Sequence, residues 1–178
     1  WEYVRDKNAA YADFSFLHRC RFKDAIELFE DASIDLLHID GFHTYEAVSE
    51  DFHTWLPKLS GDAVVLFHDT QVFNKDFGVH QFWSEIQNQY PKSCFEFHHS
   101  HGLGVMCLSE DDNIFARFAP HGINEGEFRA LFEVAGVAVF DAFVPKKKVV
   151  SANEVFALTK QLCSQSQEYR QEIKKLVA

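Results

Sequence analysis

The chain of 178 residues contains few cysteines, the residues that build disulfide frameworks and cysteine-based zinc sites. Its four cysteines are widely spaced, and none forms a CxxC pair. This spacing disfavours a cysteine-based zinc site. Because no secretory signal is recognisable either, we expect reduced cysteines in a cytoplasmic protein.

Positive charge and long apolar runs are also scarce. The net charge is −10 and no block of Lys and Arg exceeds three residues, which argues against a nucleic-acid-binding surface. No apolar run approaches the ~20 residues that span a bilayer, so no membrane association is expected. The apolar content of 47% is enough for a full core, and the length suits one domain of ordinary size.

Glycine-rich phosphate loops are likewise missing. The closest stretch is GLG at 102–104, but a strand-like segment follows it rather than a helix. There is therefore no helix N-terminus to receive an anion. No GxSxG nucleophile motif is present.

Two apolar runs dominate what is present. SIDLLHID (33–40) and AVVLFHD (63–69) are long enough for buried strands and too short for typical helices. Between them, residues 44–59 place apolar side chains at helical spacing, and SGD (60–62) is expected to end that helix. This strand–helix–strand unit predicts two parallel strands with a right-handed crossover.

The flanking segments complete an α/β prediction with two domains. We expect one α/β part at 1–110 and a helical C-terminal extension at 111–178, which opens its last helix with a capping box at 151–154. The further predicted elements are helices at 1–12, 22–30, 77–90 and 125–135, a strand at 14–20, and an antiparallel hairpin of strands 94–99 and 103–109.

Each of the two apolar runs ends in an aspartate. The carboxyl ends of neighbouring parallel strands lie ~5 Å apart at one sheet edge, where ligands bind. Asp40 and Asp69 at ~4 Å would repel by ~4 kcal/mol at an effective dielectric of about 20. A divalent cation would cancel that repulsion, with His68 as a third ligand; such a set suits Mg, Mn, Fe or Zn.

Histidines near these acids allow proton transfer. His43, three residues after Asp40, could act as a general base near neutral pH. Plainer interpretations stay open: Asp40 as a turn or capping residue and His68 as a hydrogen-bonded core histidine. We expect His38 to be structural, and His101 to be the member of HHSH (98–101) that reaches the site.

Three stretches together resemble a known family: IDLLHIDGFHTYEAVSEDFHTWLPKLSGDAVVLFHDT, FGVHQFW and HGLGV. They are similar to the C-terminal half of class I S-adenosylmethionine-dependent methyltransferases, over roughly residues 10–110. The resemblance is strongest to the family often found beside or fused to glycosyltransferases. Macrocin-type sugar O-methyltransferases and cephalosporin-hydroxylase-like proteins share the outline.

The resemblance implies a Rossmann-like, mostly parallel sheet of strand order 3-2-1-4-5-7-6 with an antiparallel end. It also implies methyl transfer from S-adenosylmethionine to a hydroxyl of a small molecule or glycan, with a divalent cation, first of all Mg. Relatives with a DGD sequence carry an acid where this chain has Phe42, which makes His43 the candidate base. The resemblance also implies a role for each candidate residue. Asp40, Gly41 and Phe42 would bind the cofactor, and Asp40, His68 and Asp69 would bind the metal. His43 and Asp40 would be catalytic, and Thr70 and His101 would contact the substrate.

One departure from the family concerns its cofactor loop. The glycine-rich loop and the acid that usually bind S-adenosylmethionine are not found before Phe14, and the first strands of the fold are missing with them. We therefore expect either sequence upstream of Trp1 or a partner, in a homo-oligomer, to cover the open edge at 34–39. Two other functions stay open: a non-catalytic assembly module, and a metal-dependent hydroxylase or hydrolase.

Overall fold

A computed structural model describes residues 1–109 and 122–143, with side chains described up to residue 139 in the second range. One four-stranded sheet forms its centre, in the order β1-β2-β4-β3. β1 pairs with β2 in parallel, and the other two pairs are antiparallel. The strands are β1 (Ile34–Ile39), β2 (Leu59–His68), β3 (Cys94–Phe97) and β4 (Leu103–Cys107), and the helices are α1 (Glu2–Asn8), α2 (Tyr45–Trp55), α3 (Val79–Gln89) and α4 (Glu125–Phe143).

The predicted α/β class is confirmed. A parallel pair joined through a helix comes first, and the antiparallel hairpin follows it in the chain. The strand order matches the 4-5-7-6 part of the order that the resemblance implies.

One face of the sheet is covered by α2 and α3. Val48, Phe52 and Trp55 are buried, and their spacing places them on the same side of α2. The Thr44 hydroxyl caps this helix by accepting a hydrogen bond from the Ala47 N–H at 3.3 Å. On the sheet, Phe67 packs against the ring of Trp83 from α3, at 5.3 Å between centroids. These contacts form the main core.

The other face is covered by α4 over β3 and β4. Phe128 of this helix packs against Phe95 and Phe97, with ring centroids 5.6 and 5.9 Å apart. On this face the side chains of β1 remain open, since Leu36 is 60% exposed. In the part of the chain that the structure describes, β1 pairs with β2 and with no further strand.

Some predicted elements differ from the structure. The strand predicted at 14–20 is wrong, because the segment has no neighbouring strand and leaves Phe14 and Phe16 75% and 74% exposed. The helix predicted at 22–30 is reduced to two short 3-10 turns, Phe22–Asp24 and Ile26–Leu28.

Boundaries around β2 and α4 differ as well. Residues 60–62 do not end a helix but lie within β2. They form an irregularity in the pairing of β2 with β1, because Ile34 pairs with Leu59 but Leu36, the next paired residue of β1, pairs with Val64. α2 ends at Trp55 because Pro57 enters a 3-10 turn, Leu56–Lys58. The helix predicted at 125–135 continues to Phe143. The capping box at 151–154 lies outside the described residues.

No helix within the two described ranges is long and apolar enough to cross a membrane.

Candidate active site at the carboxyl ends of two parallel strands

The two aspartates that end the apolar runs lie side by side. Asp40 follows β1 and Asp69 follows β2, and the parallel pairing brings both to the same edge of the sheet. His43, in the turn after β1, joins them. One potential ligand atom from each of these three residues lies within 4.8 Å of the others. The structure thus brings together Asp40, Asp69 and His43.

Asp69 is the centre of the cluster. Its side chain is buried, and three imidazoles approach its carboxylate. His43 Nε2 lies 3.0 Å from Oδ2, His68 Nδ1 lies 2.9 Å from Oδ1, and His101 Nδ1 lies 3.4 Å from Oδ1. Asp40 is about half exposed and lies farther away, with Oδ1 3.7 Å from His43 Nε2 and 3.5 Å from His68 Nδ1.

The backbone of Asp69 explains how two adjacent residues reach one site. Side chains alternate between the faces of a strand, so His68 and Asp69 would point apart in a continuing strand. β2 ends at His68, and Asp69 has φ of +64°. This left-handed conformation is unfavourable for a non-glycine residue and indicates a local constraint. It turns the carboxylate of Asp69 back toward His68.

His43 is held by the segment that follows β2. Its ring stacks on Phe77, with centroids 4.7 Å apart and planes at 16°, and its carbonyl accepts the Gly78 N–H at 2.7 Å. A Cβ at position 78 would lie 2.2 Å from the Tyr45 backbone nitrogen, so this close approach requires glycine. Phe77 therefore supports the imidazole, Gly78 holds the backbone of the same residue, and about a third of the imidazole is exposed.

Buried polar atoms in the cluster have no well-aligned hydrogen bond. These atoms are His68 Nδ1, Asp69 Oδ1 and Thr70 Oγ1. The first two lie only 2.9 Å apart, but the angle between them does not suit a hydrogen bond. Unsatisfied groups of this kind are uncommon in folded proteins and require an explanation, such as a bound ion.

The two residues predicted to contact substrate differ in accessibility. Thr70 is 1% exposed, and its hydroxyl lies under the hairpin turn, where a Cβ at Gly102 would come within 2.5 Å of it. His101 lies in the same turn with most of its side chain exposed. His101 therefore stands at the rim of the site, and Thr70 lies beneath it.

Gly41 and Phe42 line a separate cavity of about 520 Å³ next to the cluster. Phe42 is 84% exposed. Sequence reasoning missed the charged residues of this cavity, because they meet only through the packing of the 3-10 turn Phe22–Asp24 against α2. Burial, with a smaller contribution from Glu50, raises the pKa of one of them, Asp51. The remaining lining residues are Arg21, Phe22, Lys23, Ala47, Glu50 and Asp51.

Three further histidines of the predicted stretches lie outside the cluster. His38 is exposed on β1, with its ring centroid 5.9 Å from that of His68, so it is not part of the core. His98 Nε2 lies 3.5 Å from Glu96 Oε2. His99 packs beneath α4, where a Cβ at Gly136 would come within 3.2 Å of its ring.

A comparison with known families matches the part of the chain that carries these residues. Residues 2–70 match a family model described as a methyltransferase domain. That segment contains β1, α2 and β2 together with Asp40, His43 and Asp69. The resemblance to methyltransferases is thereby confirmed for this part of the chain.

A long bacterial relative also matches. The chain is 48% identical over 103 residues to the uncharacterized protein y4gI of Sinorhizobium fredii (strain NBRC 101917 / NGR234). The match covers 58% of this chain but 11% of the relative, so the chain spans about a tenth of that protein's length. No solved structure matches the chain significantly.

Proposed function

We propose that the chain carries out S-adenosylmethionine-dependent methyl transfer to a hydroxyl group of a sugar or glycoconjugate. One observation carries this proposal: Asp40, His43 and Asp69 converge at the carboxyl ends of two parallel strands, within a segment that matches a methyltransferase domain. Convergent acids and an imidazole at this edge suit the binding and deprotonation of a hydroxyl.

The residues present fit a divalent cation. Asp40 and Asp69 would supply two carboxylates, and the imidazole whose ligand atom lies within 4.8 Å of both is that of His43 rather than the predicted His68. Asp69 Oδ1 and His68 Nδ1 are buried without a well-aligned hydrogen bond. The two carboxylates favour Mg²⁺, a hard cation that prefers oxygen ligands. A cation held there would orient the acceptor hydroxyl and lower its pKa.

His43 is placed to take the hydroxyl proton. Its Nε2 lies 3.0 Å from Asp69 and 3.7 Å from Asp40, so a hydroxyl bound between the carboxylates comes within reach of this nitrogen. Stacking on Phe77 supports the ring, and the hydrogen bond from Gly78 holds the backbone carbonyl of His43. The imidazole would accept this proton and leave a hydroxyl oxygen able to take the methyl group that a bound cofactor would supply, with the methyl–sulfur bond of the cofactor breaking.

The cavity beside the cluster suits the cofactor. Its volume of about 520 Å³ lies in the usual range of small-molecule sites, roughly 300–1,000 Å³. The exposed ring of Phe42 offers a surface for stacking a nucleobase, and Glu50 and Asp51 offer acceptors for hydroxyl or amino groups. S-adenosylmethionine, when bound, supplies the electrophilic methyl group. Gly41 adds no side chain between this cavity and the carboxylates.

Titration calorimetry with S-adenosylmethionine in the presence of Mg²⁺ tests the proposal. Phe42→Ala should weaken binding, whereas Phe73→Ala, which removes another well-exposed ring outside the cavity lining, should leave it unchanged. Transfer of a labelled methyl group to a panel of sugars then identifies the acceptor. The same titration is made with a form of the protein extended upstream of Trp1, and absence of cofactor binding by that extended form would contradict the proposal.

A second candidate is a metal-dependent hydroxylase. Two imidazoles, His43 and His68, approach the same carboxylate, and two histidines with one carboxylate form the ligand set of non-haem iron oxygenases. Elemental analysis of the purified protein separates the candidates. Stoichiometric iron that changes redox state would favour the hydroxylase, and Mg²⁺ or no iron would favour methyl transfer.

A further inference from the structure

A buried carboxylate next to the site has no part in the chemistry proposed above. Glu96 of β3 is buried, and its Oε1 accepts a hydrogen bond from Gln71 Nε2 at 2.8 Å. Its other oxygen, Oε2, lies 3.5 Å from Gln87 Nε2 of α3 and 3.5 Å from His98 Nε2. Burial of a carboxylate is unfavourable unless hydrogen bonds replace its lost water. A group retained in such a place is a candidate for a specific structural task.

The strongest partner of this carboxylate belongs to the turn that carries Asp69. The Asp69 N–H donates to the Gly102 carbonyl at 3.2 Å, and the Gln71 N–H donates to the His101 carbonyl at 2.8 Å. These two bonds tie the turn to the β3–β4 hairpin through its backbone. The side-chain bond from Gln71 to Glu96 ties the same turn to β3 at a third point.

The conformation of Asp69 depends on how this turn is held. Its φ of +64° lies in the left-handed region, which aspartate adopts more readily than most non-glycine residues but at a conformational cost. If the turn relaxed, the carboxylate of Asp69 would leave its position between His43 and His68. The anchoring of Gln71 therefore bears directly on the geometry of the cation site.

Glu96 itself is held on a rigid element. Its carbonyl accepts a hydrogen bond from Arg129 Nε of α4 at 2.7 Å. The guanidinium of Arg129 also lies over the ring of Phe95, 4.6 Å from its centre. β3 is thus attached to α4 through the backbone of Glu96, the same residue whose side chain binds Gln71.

We propose that Glu96 is a positioning residue of the cation site: by binding Gln71, it holds the Asp69–Val72 turn so that the Asp69 carboxylate faces Asp40 and His43. The part of this inference that concerns a bound cation rests on the proposed function. Partners that orient metal ligands from outside the coordination sphere commonly change metal affinity by about 10–100-fold when they are lost.

The first experiment measures Mn²⁺ affinity of the full chain by electron paramagnetic resonance. Glu96→Ala and Gln71→Ala should each weaken binding by about tenfold. Glu96→Gln keeps a carbonyl oxygen that accepts the Gln71 bond, so it should restore most of the affinity. Gln87→Ala is the matched control, because it removes the other amide partner of Glu96 without touching the turn. Equal losses in Gln71→Ala and Gln87→Ala, or tight binding by Gln71→Ala, would overturn the proposal.

The second experiment needs no metal. Hydrogen–deuterium exchange of the Asp69 and Gln71 amides should become faster in Glu96→Ala and Gln71→Ala than in Gln87→Ala at matched thermal stability. Unchanged exchange at these two amides would overturn the positioning role. If the unaltered chain binds no Mn²⁺, the cation of the proposed function fails, and the exchange pattern alone decides the role of Glu96. Should Glu96→Ala not fold, the comparison of Gln71→Ala with Gln87→Ala decides it.

Discussion

The imidazole Nε2 of His43 lies 3.0 Å from the carboxylate Oδ2 of Asp69, which joins the turn after β1 to the turn after β2. This contact makes the two strand ends one site. It also gives His43 two conceivable roles, as a base or as a cation ligand, because the same nitrogen faces both carboxylates.

Replacement of His43 by Gln separates these roles. As a general base, His43 contributes about 10²–10⁴-fold to turnover, and its loss should leave Mn²⁺ affinity within about threefold of the unaltered chain. Methyl-transfer rates and Mn²⁺ titration measure the two effects. His53→Gln, an exposed histidine of α2, is the control. A parallel loss of Mn²⁺ affinity would instead assign His43 as a ligand.

Asp69→Asn should abolish most cation binding. The change removes the charge of the buried carboxylate around which the cluster is built, so we expect Mn²⁺ affinity to fall by at least about tenfold, as for loss of a supporting partner. Asp62→Asn, which removes an exposed charge from β2, should change affinity little. Isothermal titration measures both. Similar affinities for the two variants would contradict a cation site at Asp69.

Gly102→Ala should destabilise the chain strongly. The residue has φ of +84°, and an added Cβ would come within 2.5 Å of Thr70 Oγ1 and 2.6 Å of the Gln71 nitrogen. We expect a loss of at least ~1–3 kcal/mol in the free energy of unfolding. Urea titration followed by circular dichroism measures it.

Two other glycines act as controls for this variant. Gly122→Ala has a similar φ of +80° but open space around it, so it shows the cost of the backbone conformation alone. Gly61→Ala has neither a positive φ nor a close neighbour and should be nearly neutral. If Gly102→Ala lowers the free energy of unfolding no more than Gly122→Ala does, the close approach to Thr70 and Gln71 does not contribute to the destabilisation.

The open edge of β1 should support self-association. Leu36 is 60% exposed beside an edge that no further strand of the described ranges pairs with. Leu36→Lys places a charge there and should weaken association, because lysine on an edge strand opposes pairing with another chain. Leu28→Lys, on a similarly exposed residue in a 3-10 turn, is the control. Light scattering that shows a monomer at all concentrations would contradict this expectation.

Cysteine labelling should follow burial and pKa. Burial raises the pKa of the Cys94 thiol to about 12, so this group stays protonated and unreactive at pH 8–9. Cys20 is exposed. In a Cys163→Ser background, Ellman's reagent should modify Cys20 first. Raising the pH from 8 to 9 should increase the rate of modification of Cys20 much more than that of Cys94. Equal rates for the two thiols in the folded chain would contradict this.

Much of the fold was predictable because strong local patterns agreed with the final packing. The apolar runs that became β1 and β2, and the helical spacing of Val48, Phe52 and Trp55, need little tertiary information. The segment 14–20 shows the limit. Its aromatic and apolar residues are compatible with a strand, but a strand needs a neighbouring strand, and the segment alone does not show whether one is present.

The site was predictable in composition more than in geometry. Parallel pairing brings Asp40 and Asp69 to one edge, as their positions in the sequence indicated. The contact of His43 with Asp69, the left-handed backbone of Asp69 and the support from Glu96 depend on loops that close in three dimensions. No residue spacing in the sequence predicts these contacts.

The anchoring of His43 by Phe77 and Gly78 has a consequence for how this site can diversify. The segment after β2 begins at one member of the cluster, Asp69, and returns to another, His43. Its two ends are immobilised, whereas its middle, around 73–76, is exposed. Substitutions at 73–76 can therefore reshape the surface beside the cluster, while the contacts that hold Asp69 and His43 stay in place.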